Sequence, residues 1–136
     1  MTNVLITNKR IMAELIYKEL SYQITGIVFE IDNSIGYGQD EKTYGDAFEL
    51  LLKKHEIKYQ RELYFPITIE GKLIKKCFFD FLVDDKIIVE LKANDINFKQ
   101  VCAQVFKYLK ASDNKLGLVY RFSKSGVRTK RIPNYY

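Results

Sequence analysis

The chain contains no tryptophan, one histidine, two prolines and two cysteines. Cys77 and Cys102 lie far apart, with no CxxC pair and no histidine cluster. That excludes a signalled zinc knuckle or disulfide framework, and both thiols read as small buried hydrophobes. His55 falls at a predicted helix end among Lys53, Lys54 and Glu56, where a surface or dipole role outweighs a catalytic one. No low-complexity tract, repeat or Pro/Gly/Ser linker interrupts the chain, so residues 1–136 are expected to form one domain with its core at about 14–133. No stretch approaches the ~20 apolar residues that span a bilayer. The start, MTNVLITNKRIMAEL, lacks an apolar run followed by a small-residue cleavage site. No membrane partner and a cytoplasmic, reducing location are expected.

What the chain does have is 47% hydrophobic and 29% charged residues, enough for a real core in one globular unit. Its aromatics are all Tyr (10) and Phe (9), so those rings must build much of the core. Lys and Arg outnumber Asp and Glu by 22 to 17, a net charge of +5 that favours polyanionic partners without requiring one. The stretch from Arg121 to Arg131 carries no acidic residue. It reads equally as a solvated basic tail or a phosphate-contacting one.

Apolar residues recur at helical spacing from about Ala13 to Asp32, through Leu15, Ile16, Leu20, Ile24, Ile27, Val28 and Ile31, and stop at Asn33, Ser34, Gly36 and Gly38. A second helix is predicted from about Asp40 to His55, with the stripe Tyr44, Ala47, Phe48, Leu51 and Leu52. β-Branched and aromatic runs follow at Ile57–Ile69, Leu73–Val83 and Lys86–Leu91, broken at Glu70-Gly71 and Asp84-Asp85, and predict three consecutive antiparallel strands. Helical spacing returns from about Asn97 to Ala111, before a last strand over Leu116–Phe122. The order is α-α-β-β-β-α-β. The helix between the third and fourth strands makes a crossover, so an α/β fold with a mixed sheet flanked by helices is expected.

The segment CFFDFLVDDKIIVELK places Asp80, Glu90 and Lys92 on strands otherwise too apolar for a solvated surface. Glu90 and Lys92, two apart, share one strand face. A three-residue loop of Asp84, Asp85 and Lys86 would set Val83 against Ile87 and Asp80 against Glu90, with both carboxylates on one face. A two-residue loop would turn them to opposite faces unless a bulge corrected the register. Paired half-buried carboxylates need a shared proton or a divalent metal, and all-oxygen ligands select Mg2+ or Mn2+. With a lysine alongside, the chemistry suggested is phosphodiester hydrolysis. The plain alternative is an ordinary Glu/Lys ion pair on a strand face.

Gly38 to Tyr44 reads GxxExxY, and the surrounding FEIDNSIGYGQDEKTYGDAFELLL resembles the opening of the GxxExxY protein family, assigned to the PD-(D/E)xK nuclease superfamily. The resemblance runs from about Glu19 to Pro133. It continues through FFDFLVDDKIIVELKA, with Asp, nine residues, then ExK, and through Gln104-Val105-Phe106-Lys107-Tyr108, similar to the QxxxY helix of RecB-type exonucleases. Phe79 stands where the superfamily motif has proline, and Asp32 and Tyr37 where the family's first loop has His and Pro. None of these departures removes a ligand. The resemblance implies a restriction-endonuclease-like core, metal ligation by Asp80 and Glu90, a catalytic Lys92, a supporting carboxylate from Glu41, and Gln104 and Tyr108 near the site. On the residues alone, Glu41 in a first helical turn can equally complement the dipole, and Tyr44 can equally be core with its hydroxyl tied to a neighbour. The function expected is a Mg2+-dependent nuclease acting on nucleic acid, DNA first, with Mn2+ able to substitute. A domain this small leaves specificity to a partner, a homodimer or nucleic-acid shape. The alternative is a non-catalytic nucleic-acid- or protein-binding module on the same fold.

Overall fold

The structure, a computed structural model, describes residues 8, 11, 16–94 and 97–134. Helix α1, Lys18–Ile35, buries Ile24, Ile27, Val28 and Ile31 on one face. Its predicted start at Ala13 lies outside the described residues. It runs past Asp32 and ends where the Gly36 N–H bonds the Asp32 carbonyl at 2.9 Å. Helix α2, Glu41–Lys54, is capped by Asp40, whose carboxylate accepts the Thr43 N–H at 2.7 Å, with Lys53 and Lys54 in its last turn. Helix α3 spans Phe98–Ser112.

The main sheet has the order β1-β4-β5-β6-β7, made of Tyr59–Gln60, Phe81–Val83, Ile87–Lys92, Leu116–Ser123 and Gly126–Pro133. Strands β5 and β6 are parallel, joined by the α3 crossover, and the other neighbours are antiparallel. This is the expected mixed α/β sheet of a restriction-endonuclease-like core. β2 (Leu63–Ile69) and β3 (Lys72–Phe79) pair only with each other, as a separate two-stranded sheet.

Two expectations need correction. The first two predicted strands are each broken, at Arg61-Glu62 and at Asp80, because this long hairpin changes sheets: Phe79 pairs with Leu63, whereas Phe81 pairs with Val89. Residues on both sides of each break are β-formers, so the run of apolar residues hides the change of partner. The basic segment Arg121 to Arg131 is not a tail. It is the end of β6 and most of β7, a strand at one end of the sheet order whose exposed Arg128 and Lys130 suit an edge that must not recruit another strand.

The two faces of the sheet carry separate cores. Ile87, Val89 and Leu91 of β5, with Leu116, Leu118, Tyr120 and Phe122 of β6, pack under α1 and α2. Ile88 and Val119, on the opposite parity, pack with Val105 and Leu109 of α3. Gly117 lies opposite Ile88, and a Cβ there would stand 2.4 Å from Val105 Cγ1. α3 therefore approaches the sheet more closely than any side chain at 117 would permit.

Candidate functional site

The site is set by the turn between β4 and β5. The Lys86 N–H bonds the Val83 carbonyl at 3.0 Å, and Asp84 and Asp85 take φ of 53° and 55°. Two central residues in the left-handed region are what a tight twisted hairpin turn needs, and Asp tolerates that region better than most side chains. Lys86 is then an extra residue that brings Val83 opposite Ile87 and Phe81 opposite Val89. Continued one rung further, this register sets Asp80 beside Glu90, the three-residue-loop arrangement.

The ladder stops at that rung, and side chains take over its hydrogen bonds. The Asp80 N–H donates to Glu90 Oε1 at 2.5 Å, and the Leu91 N–H donates to Asp80 Oδ2 at 2.8 Å. The two carboxylates thus clasp each other's strands, and Glu90 is 9% exposed. Burial raises the Asp80 pKa from 3.8 to about 6, helped by the charges of Glu41 and Glu62 and opposed by the Leu91 N–H and Lys92. Burial, then the Asp80 charge, hold Glu90 well above the ordinary carboxylate range.

Glu41 arrives from the first turn of α2. Gly38, with φ 95°, lies in the loop leading to that turn, in a conformation few side chains allow. Tyr44 ties the same loop down: its hydroxyl donates to the Gly36 carbonyl at 2.7 Å and accepts the Gln39 N–H at 3.3 Å. Its fully buried ring stacks on Phe122 at 3.8 Å. Tyr44 is therefore core that shapes the loop. So positioned, Glu41 Oε1 sits 2.9 Å from Lys92 Nζ and accepts the Ala93 N–H at 3.4 Å. Lys92 is the more buried partner, its side chain 18% exposed against 46% for Glu41.

Asp80 and Glu41 open into a cleft of about 630 Å³, also lined by Asp46, Glu49, Arg61 and Glu62. Sequence reasoning missed these last four. Arg61 Nη1 bonds Asp46 Oδ1 at 2.8 Å and Glu49 Oε1 at 3.2 Å, and the guanidinium carbon lies 5.3 Å from the centre of the Phe81 ring. No comparable signal marks them: Arg61-Glu62 follows Ile57-Lys58-Tyr59-Gln60, which is already half polar, whereas Asp80 stands alone in an apolar run.

The structure therefore brings Asp80, Glu90, Lys92 and Glu41 together. It does not bring Gln104 and Tyr108 into contact with them, although α3 lies on the same sheet face as Ile88. Gln104 Nε2 donates to Cys77 Sγ at 2.9 Å, and the Tyr108 ring packs on Phe65 and Phe79 at 5.0 and 5.1 Å. Among the described residues, no group of three or more His, Cys, Asp or Glu side chains stands assembled as metal ligands. The local reason is visible: Lys92 engages Glu41, and backbone N–H groups occupy one oxygen each of Asp80 and Glu90. The donor set is nonetheless all oxygen and anionic, and its neighbouring buried carboxylates gain most from a hard divalent cation. The chemistry of the residues fits Mg2+ or Mn2+.

Among the described residues no helix is long and apolar enough to cross a membrane. The crystal structure of SSO0001 resembles this chain with a TM-score of 0.51 at 19% identity, over 93% of the chain. The chain spans 61% of the length of that protein. No curated protein matches by sequence. A family model described as the PD-(D/E)XK nuclease superfamily matches residues 18–132. With the sheet order, the Asp80, Glu90 and Lys92 arrangement and that match over most of its length, the chain belongs to the PD-(D/E)XK nuclease superfamily.

Proposed function

We infer that the protein is a Mg2+-dependent nuclease that hydrolyses phosphodiester bonds, with DNA as its substrate and Mn2+ able to replace Mg2+. The observation that carries this reading is the Asp80–Glu90 pair, with Glu90 buried and Asp80 lining a cleft together with Glu41, the partner of Lys92. A fold does not keep two carboxylates there for stability, since their repulsion and desolvation oppose folding. Asp80 and Glu90 would hold the ion, with Glu41 as the third carboxylate. The bound ion would polarise a phosphoryl oxygen and acidify a water. Lys92 holds its ammonium against Glu41 and can turn that charge to a phosphoryl oxygen as negative charge develops there. Arg61, anchored by Asp46 and Glu49, keeps the cleft wall in place around Phe81. Gln104 and Tyr108 support the site at one remove, because they grip Cys77 and Phe79 on the strand that delivers Asp80. The GxxExxY segment supplies the Glu41 turn and supports placement in that subfamily.

A second reading, a non-catalytic module that binds nucleic acid or protein, is favoured by one observation: Glu41 is engaged by Lys92 and not by the Asp80–Glu90 pair. Cleavage of labelled DNA and RNA of matched sequence with Mg2+, Mn2+ or EDTA decides between the two, with Asp80→Asn as control. Metal-dependent DNA cleavage lost in Asp80→Asn establishes the nuclease. Binding without cleavage under every ion establishes the module.

A further inference from the structure

The β2–β3 hairpin runs directly out of the site, β2 starting at Leu63 after Glu62 and β3 ending at Phe79 before Asp80. One face of it is covered: Leu63, Phe65 and Phe79 pack with α3. The other face carries the cross-strand pair Tyr64↔Phe78, the rung nearest Asp80 on that face. The two rings lie 5.2 Å apart and are 45% and 53% exposed. The next rung on the same face is Pro66↔Lys76. Over residues 63–79 the hairpin holds Lys72, Lys75 and Lys76 against the single carboxylate Glu70. Among the described residues, none of the three lysines forms an ion pair.

Exposed rings with a neighbouring lysine, two residues or about 7 Å along the chain from a candidate catalytic carboxylate, form a platform on which an unpaired base can stack while its phosphate meets the ammonium. A second copy of the chain suits the face poorly, because a two-fold contact sets a patch against itself and would bring the unpaired lysines together. We propose that Tyr64, Phe78 and Lys76 form a stacking site for unpaired nucleotides of a single strand entering the cleft. This rests on the nuclease reading above for its location but not for its binding test. The site selects single-stranded or frayed nucleic acid over intact duplex, whose bases offer no free face.

The test is fluorescence anisotropy of the full chain in EDTA, so that nothing is cut. The probes are labelled oligothymidylate, a blunt duplex and an abasic strand, all of one length. Wild type is expected to bind oligothymidylate tighter than the other two. Tyr64→Ala and Phe78→Ala should each weaken that binding about tenfold, the effect of losing one stacked base, and leave the abasic strand unaffected. Phe78→Tyr should keep wild-type affinity, since it keeps a ring at 78, and the unchanged abasic-strand binding of the alanine variants excludes a folding defect in them. Lys76→Ala should weaken both single strands and shallow the salt dependence. The proposal is overturned if wild type does not bind oligothymidylate, if the abasic strand binds as tightly, or if the alanine variants bind as wild type does. It is equally overturned if sedimentation finds a dimer that those variants lose. Single strands bound through the rings but never cut with Mg2+ would sink the nuclease reading alone. Cleavage indifferent to both rings would sink the stacking site alone.

Discussion

Asp80→Asn should make the metal-free protein more stable at neutral pH while removing its capacity for metal. The asparagine carbonyl keeps the acceptor for the Leu91 N–H and resembles the protonated carboxyl in charge. In the folded protein the Asp80 pKa stands at about 6 against an ordinary 3.8, so the folded state holds its proton longer than the unfolded chain does. Its contribution is therefore neutral below the unfolded value. It becomes unfavourable as pH rises towards 6 and is constant above that. The gap between those pKa values corresponds to about 3 kcal/mol, or roughly 10 °C in Tm for a chain of this size. Neutralising Asp80 also removes a charge that, after burial, holds Glu90 above the ordinary carboxylate range. Urea unfolding in EDTA at pH 4 and pH 8 measures it: the variant should exceed wild type by less than about 1 kcal/mol at pH 4, just above the unfolded value, and by up to about 3 kcal/mol at pH 8. Adding Mg2+ at pH 8 should raise the stability of wild type alone. A variant less stable than wild type at pH 8, or a difference independent of pH, would refute the claim that repulsion and burial at this pair oppose folding.

Other substitutions probe separate parts of the site and fold. Lys92→Ala should leave Mn2+ affinity intact or tighter in calorimetry, because a competing cation leaves Glu41. Cleavage should still fall by about two to three orders of magnitude, as for loss of one preorganised donor. Cleavage at the wild-type rate would make the ExK pair an ordinary strand-face ion pair. Gly117→Ala should cost about 1 to 3 kcal/mol in urea unfolding, since its Cβ overlaps Val105, and combining it with Val105→Ala should recover part of that loss. Tyr44→Phe should lose about 1 kcal/mol from the bond to the Gly36 carbonyl, with a larger fall in cleavage than in stability if the loop positions Glu41. Gln104→Ala should lower Tm and cleavage together, as expected of a residue that grips Cys77 and not the ion.

The sequence by itself determined the helices and the mixed sheet with its crossover, written in local periodicity, and singled out Asp80, Glu90 and Lys92 as charges placed where only apolar residues belong, whereas Glu41 in a first helical turn stood out only through the family resemblance. The extent of the second helix, from about Asp40 to His55, was legible because its apolar stripe and its basic last turn are local features of the chain, and the structure caps it at those two residues. The tertiary structure decided which strand each segment would join. The change of sheet at Asp80 and at Arg61-Glu62 depends on pairing energies between distant segments, and a strand pairs as readily with one sheet as with another on propensity alone. β7 was hidden for a related reason: an edge strand with exposed basic residues shows little apolar alternation, and only pairing with β6 makes it a strand. The engagement of Glu41 by Lys92, the anchored Arg61 and the reach of Gln104 to Cys77 are contacts across 51, 15 and 27 positions. No local pattern encodes them, because they exist only once α2 and α3 have packed on opposite faces of the sheet.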